Sequence, residues 1–393
     1  MNRKPGVLRL LGFFVLARVI LYLTLPLEGL HGYGDFVTFF SVTQIPGWPF
    51  LNYWVEFPPV FPFLSEILMR VSGAQLHVYT YLLLFVLLAA DAGNLYFFQR
   101  LAKHLWNEEE SRFRIDFYLV ILIALPYSWW YFDPLAVLFL LAGITYAVEN
   151  RITRAGVMWG LGALVKFFPL LGLAAMWNWH KPGRMLRTAA VAASIFLAGI
   201  TVLWFISPQF TQASLQSQGS KGSWETIWAV VDGNLTTGNF GSLVDRLDAR
   251  LATRPVGNPP RISPWVTLPL FVLAGVFLLV KTKASSPQPA AAVGLALSLF
   301  FLWSQGWSVQ WVLFLIPVIL LGLESRHASL LSVSFILVNV LEWPLLLSRG
   351  LFELLPVTVL LRTVLFAFSA WLFGRQLVKK WQIEANRIES NLA

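Results

Sequence analysis

The chain has 393 residues, of which 57% are hydrophobic and 12% charged, with a formal net charge of +9. A soluble domain carries about 25% charged residues. So low a share excludes a soluble enzyme, a disordered protein or a nucleic-acid-binding domain as a first reading. The basic excess fits instead the Lys and Arg that membrane proteins keep in their cytoplasmic loops. There is no cysteine, so neither a disulfide nor a thiolate metal site can form. The 18 tryptophans suit a protein with two membrane interfaces to anchor.

A spanning helix needs roughly 20 mainly apolar residues. The N-terminus has the basic start and apolar run of a signal peptide, but no small-residue cleavage site follows. The segment 6–26 is therefore expected to be a retained first helix with its N-terminus in the cytoplasm. Further apolar segments follow at 79–100, 115–131, 134–149, 188–206, 264–280, 289–304, 309–323, 328–344 and 356–375. The stretch 155–179 is interrupted by Lys166 and Pro169. If the basic loops 1–9, 100–114, 150–154, 180–187, 281–283, 324–327 and 375–393 all face the cytoplasm, 155–179 must form a hairpin with Lys166 at its outer turn. The expected fold is thus an all-α polytopic membrane protein. It is one unit, 1–393, with about twelve membrane segments and both termini inside.

Two polar regions then face outward. The first, 27–78, is rich in Gly, Pro and aromatics and suggests short interfacial helices. The second, 207–263, ends in SLVDRLDARLA, whose Leu243, Leu247 and Leu251 recur every four residues and predict a short amphipathic helix. A loop this long is usually functional.

Ionisable groups at membrane depth are costly and point to function. Arg18, Asp35, Glu56, Glu66, Asp133, Lys166, Glu342, Arg349 and Arg362 are expected near the outer face, with Asp91 deeper. Asp35 follows Gly32-Tyr33-Gly34 and suits a general base toward a hydroxyl, or else a helix cap. Glu56, held extended by the following proline pair, could bind a substrate hydroxyl, orient Asp35, or simply be solvated. Lys166 either snorkels or pairs with an anion such as phosphate. Asp133 either contacts substrate or caps the helix that Pro134 begins. Gln305, Gln310 and Trp311 lie in a polar, Trp-rich stretch that could hold a sugar or form an interfacial belt. No Walker, zinc or dinucleotide motif is present, and no cofactor is expected. Asp35 and Glu56 could in principle hold a divalent ion, but no DxD pair supports one.

The order of these features is informative: Arg18 in the first span, Asp35, EFPP at 56–59, YFDP at 131–134, KFFP at 166–169 and SVQWVLFLIP at 308–317. Across nearly the whole chain it resembles the GT-C superfamily of integral membrane glycosyltransferases. In pattern it is similar to polyprenol-phosphate-mannose-dependent mannosyltransferases and to the catalytic subunit of GPI mannosyltransferase I. The resemblance implies transfer of a hexose, in the first place mannose, from a polyprenyl-phosphate donor to a glycolipid or glycan hydroxyl, with inversion, at the outer face of the cell membrane. It implies Asp35 as the base, Lys166 and Arg18 near the phosphate, and Gln310 and Trp311 in the late motif. Arg349 is a further candidate cation for the leaving phosphate. Two departures stand out. Asp35 lacks the adjacent acid that family members often carry, and Gln310-Trp311 stands where Gln-Tyr is common. A transporter or flippase of lipid-linked sugars, or a non-catalytic subunit, would share the apolar bulk and the buried charges.

Overall fold

The computed structural model describes residues 6–177, 182–236, 241–281 and 288–392. The predicted basic loops 1–9, 180–187 and 281–283 fall partly outside them. The first part runs α1 (Val7–Thr24), two short helices α2 (Leu27–His31) and α3 (Phe36–Val42), then α4 (Val60–Val71) and α5 (Leu76–Leu105). Next come α6 (Glu108–Ala124), α7 (Tyr127–Trp130), α8 (Asp133–Val148) and α9 (Ile152–Ala163), and a 3-10 stretch, Phe168–Met176. Then follow α10 (Pro182–Ile206), α11 (Pro208–Ser220), α12 (Ile227–Asp232), α13 (Pro264–Lys281), α14 (Pro289–Trp303), α15 (Val312–Gly322), α16 (Ser325–Val340) and α17 (Leu355–Leu392). Among the described residues there is no named strand, only isolated bridges such as that between Trp224 and Gly306.

Apolar content decides position. Every residue of α15 is buried, as expected of a helix that is apolar all round. It packs against α14 and α16, and α14 packs in turn on α17. A second layer joins α5 to α8, α8 to α9 and α9 to α10. By contrast, α1 and α10 leave most of their apolar surface uncovered, the arrangement of lipid-facing helices.

Among the described residues, five helices are long and apolar enough to cross a membrane: Val7–Thr24, Leu76–Leu105, Pro182–Ile206, Ser325–Arg349 and Phe352–Val378. The chain is thus a helical polytopic membrane protein, and the described residues do not show the full set of about twelve predicted segments. Backbone chemistry accounts for the difference. Segment 115–131 breaks at Leu125, which is extended (φ −83°, ψ 112°) ahead of Pro126. Segment 155–179 does turn at Lys166, but its arms are 12 and 9 residues. Each is only roughly 18 Å long, short of the ~30 Å hydrocarbon core. Segment 328–344 ends at a kink, where Trp343 is non-helical before Pro344.

The predicted amphipathic helix at 242–252 is also corrected. Two short 3-10 turns, Leu243–Leu247 and Ala249–Thr253, replace it. The side-chain oxygens of Ser242 and Asp248 each bond the backbone N–H two residues on, which favours tight turns over a continuous helix. The buried residues are Arg246, Ala249 and Ala252, a spacing of three that matches 3-10 geometry. The leucines do not form the buried face, and Leu247 is exposed.

One buried cation ties the second half of the chain to the first. The Arg114 guanidinium donates to the carbonyls of Leu320 and Leu323 (2.9 Å to the latter), to Ser325 Oγ at 2.9 Å and to Glu110 at 2.9 Å. It also lies 3.7 Å from the Trp106 ring centroid. It therefore satisfies the open carbonyls at the end of α15. Arg114→Ala strands those carbonyls and is expected to destabilise the protein by about 3 kcal/mol, read as a lowered unfolding temperature in detergent.

Candidate active site at the Asp35 loop

The loop carrying Asp35 is shaped by glycine. Gly32 and Gly34 lie so close to Trp130 that a Cβ on Gly32 would sit 2.1 Å from the indole, and one on Gly34 2.3 Å from the Trp130 carbonyl oxygen. Gly32 also has a φ of 51°, which side-chain-bearing residues rarely adopt. Around this contact, Asp35 N–H donates to the Trp130 carbonyl (3.2 Å). The Tyr131 hydroxyl (3.2 Å) and Trp343 Nε1 (2.9 Å) both donate to the Tyr33 carbonyl. HGYGD is thus clamped between the end of α7 and the kink after α16.

Asp35 stands at the N-cap position of α3, yet its side chain makes no capping bond. Among the described residues its carboxylate has neither a hydrogen bond nor an ion pair. The charges of Lys166, Asp133, Glu56 and Lys221 all bear on it. Burial pushes the Asp35 carboxyl up to about 6, against the pull of Lys166 and with the added push of Asp133 and Glu56.

The predicted neighbours come together around it, each with a partner. Lys166 Nζ lies 2.6 Å from Asp133 Oδ1, in a buried pair whose other carboxylate oxygen has no hydrogen-bond partner. Asp133 begins α8, with Phe132 at the cap position, so its side chain serves Lys166. The ammonium also sits 4.9 Å from the Phe132 ring centroid and 5.6 Å from that of Trp311. Trp311 packs in turn on Phe168 (4.7 Å between centroids) and Trp307 (5.7 Å).

Glu56 is not a solvated loop charge. Arg246 grips it with both terminal nitrogens, the second at 3.0 Å. Burial would raise the Glu56 carboxyl, but the Arg246 guanidinium holds it below its ordinary value. Arg246 stacks over Trp54, 4.9 Å from the centroid, and its carbonyl accepts from Trp54 N–H at 3.0 Å. With Gln218 donating to the Glu56 carbonyl (2.8 Å) and Ser214 Oγ accepting from Val55 N–H (3.1 Å), the region 207–263 is folded onto 27–78. Its segment 221–226 reaches the late motif. There Trp224 N–H (3.0 Å) and Thr226 Oγ1 (3.1 Å) donate to the Gln305 carbonyl. Gln305 therefore contributes through its main chain. Gln310 is half-buried in the 3-10 turn Val309–Trp311.

Two predicted residues lie apart from this cluster. Arg18 is fully buried against Asp91 (2.8 Å) and Ser128 and stacks on Trp129 at 4.5 Å. Asp91 is thus the ion-pair partner of Arg18. Arg349 is exposed and donates to the Leu345 carbonyl of its own turn at 2.5 Å. The sequence reading missed Lys221, Glu225 and Arg246. For Arg246 a signal existed in its three-residue spacing with Ala249 and Ala252. Lys221 and Glu225 sit in a polar loop with no periodicity to mark them. Among the described residues no group of three His, Cys, Asp or Glu could hold a metal ion.

No protein-family model matches the chain, and no curated protein does. Among solved structures, the apo crystal structure of the oligosaccharyltransferase from Archaeoglobus fulgidus matches with a TM-score of 0.45 and 12% identity. That match covers 96% of this chain and 56% of the other, so this chain spans little more than half the length of that protein.

Arg246→Ala leaves the Glu56 carboxylate buried without its partner. The expected cost is about 3 kcal/mol, with faster proteolytic cleavage within 241–262 as the direct readout of a loosened loop.

Proposed function

We propose that this protein is a membrane glycosyltransferase. In this reading it moves a hexosyl group, in the first place mannosyl, from a polyprenyl-phosphate donor to a hydroxyl of a glycolipid or glycan. The observation that carries it is the Asp35 carboxylate, left out of capping and ion pairing in a half-buried setting beside a cation and an aromatic wall. A carboxylate so placed is an available base, and burial raises its proton affinity toward the range useful at neutral pH.

The steps balance without a cofactor. The acceptor hydroxyl gives its proton to Asp35, and its oxygen forms a bond to the anomeric carbon. The bond from that carbon to the phosphate oxygen breaks on the opposite face, which inverts configuration. The electron pair leaves with the polyprenyl phosphate, whose charge Lys166 stabilises as a third member of its pair with Asp133. The Trp311 face suits a sugar ring, and Gln310 and Glu56 are candidate partners for its hydroxyls. A donor held by a lipid tail suits a chain whose described residues include five helices long and apolar enough to cross a membrane. The reading places the site at the outer face of the cell membrane. Arg18 is assigned a supporting role behind α7 in place of phosphate contact, and Arg349 none in the transfer step.

The test is transfer of radiolabelled mannose from polyprenyl-phosphate-mannose to a lipid extract, with the protein in nanodiscs. Asp35→Asn keeps the shape and removes the base, and is expected to lower kcat by about 10²–10⁴-fold. Equal rates for wild type and variant would end Asp35's role as the base. Donor movement across the bilayer without cleavage would favour a transporter.

The pH profile supplies a second check. Asp35 acts as a base only when ionised. The wild-type rate should therefore climb about tenfold per pH unit below 6 and level off above about 7, and Asp35→Asn should lack this limb.

A further inference from the structure

One cluster of buried ionisable groups has no part in the proposed reaction. Glu225 lies in the segment between Lys221 and α12, with a φ of 53° that costs a residue bearing a side chain. Of the charges that bear on its carboxyl, that of Glu342, in the irregular turn after α16, is the largest. From α17, Arg362 donates through Nη1 to Glu342 Oε1 at 2.6 Å and through Nη2 to the Glu225 main-chain carbonyl. Thr358 donates to Glu342 Oε2 at 2.6 Å. All four side chains are buried.

The charge count is the key. Arg362 spends one nitrogen on the Glu342 carboxylate and the other on the Glu225 main chain, and two ionised carboxyl groups buried side by side repel unless one takes up a proton. We propose that Glu225 and Glu342 share one proton over Arg362, and that this proton latches the 221–226 segment against the helices beside the Asp35 site. The other charged or titratable groups facing Glu225 are the Lys221 ammonium on its own segment and the phenols of Tyr127 and Tyr131. The phenols stay neutral over the range in question.

The same segment carries Lys221, whose charge reaches both Asp35 and Glu56. Its other ties include the main-chain bonds of Trp224 to Gln305 (3.0 Å) and Trp307 (3.1 Å) and of Gly222 to Val256 (2.7 Å), and the side-chain bonds of Ser223 to Asp232 (2.6 Å) and Thr226 to Gln305 (3.1 Å). Opening the latch therefore moves a cation away from the candidate site. The latch goes beyond the transfer reaction and stands without it.

The direction with pH follows. Burial and the Glu342 charge push the Glu225 carboxyl up to about 8 in the closed segment, from an ordinary value of 4.5. Opened to water, the carboxyl returns toward the ordinary value and sheds its proton. The closed form is therefore fully favoured below about 4.5 and loses ground as pH rises to about 8. The loss is at most about tenfold per pH unit, and no more follows above that.

Hydrogen exchange tests this on the full chain in nanodiscs, with wild type, Glu225→Gln and Glu342→Gln at matched pH. Amide exchange of the peptide covering 219–230 is divided by the intrinsic rate at each pH to give an opening constant. In wild type this constant should rise at least tenfold between pH 5.5 and 7.5 and flatten above 8. In Glu225→Gln, which mimics the protonated carboxyl, it should change less than twofold. Glu342→Gln removes the neighbouring charge but not the burial and should make the slope shallower than in wild type, which decides the matter if Glu225→Gln fails to fold. A flat wild-type profile, or an equal slope in all three proteins, overturns the latch. Neither result bears on sugar transfer, which is measured separately.

Discussion

Charge buried in pairs organises this molecule. A single ion moved out of water costs several kcal/mol even after relaxation, and a partner at contact distance offsets that cost. Asp91 and Arg18, Asp133 and Lys166, Glu56 and Arg246, and Glu342 and Arg362 each satisfy this requirement. Each pair also joins parts of the chain that are distant in sequence, up to 190 residues for Glu56 and Arg246. Between helices in lipid there is no hydrophobic driving force, and apolar packing alone leaves their register open. These pairs select one arrangement, because any other leaves a charge alone.

Asp35 departs from that pattern. Its carboxylate is half-buried and near two cations, yet it spends itself on no bond among the described residues. What holds it there is backbone and shape: two glycines against Trp130, and three donors placed on the carbonyls of Tyr33 and Trp130. The supporting shell reaches further back. Arg18 binds Ser128 in α7. Its partner Asp91 accepts a bond from Asn94 at 3.2 Å, and Asn94 also donates to the Pro134 carbonyl at 3.1 Å. The intramembrane arginine therefore steadies both the helix end that carries Trp130 and the start of α8 that carries Asp133.

The two polar regions behave as one structure. The first carries Asp35 and Glu56. The second, 207–263, covers it through Arg246 and Gln218, and touches the late Trp-rich motif through Trp224 and Thr226. The site is therefore assembled from five separated stretches of chain, centred on residues 35, 56, 133, 166 and 305–311.

Much of this was legible in order of residues alone. Apolar runs of spanning length, the scarcity of charge and the glycine-framed Asp35 are local properties, and local properties can be read along the chain. The turn at Lys166 was legible too, because Lys and Pro interrupt an apolar run. Partner choice was not legible. Lys166 has the chemistry to pair with an anion, and the fold sets Asp133 against it; Arg246 lies within a predicted leucine helix, and the 3-10 turns that replace it bury its side chain. A residue's type and spacing set what it can do, since helix formation and burial depend on neighbours a few positions away. Which opposite charge it meets is set by packing across the whole chain, because only the folded arrangement brings together groups separated by up to 190 residues.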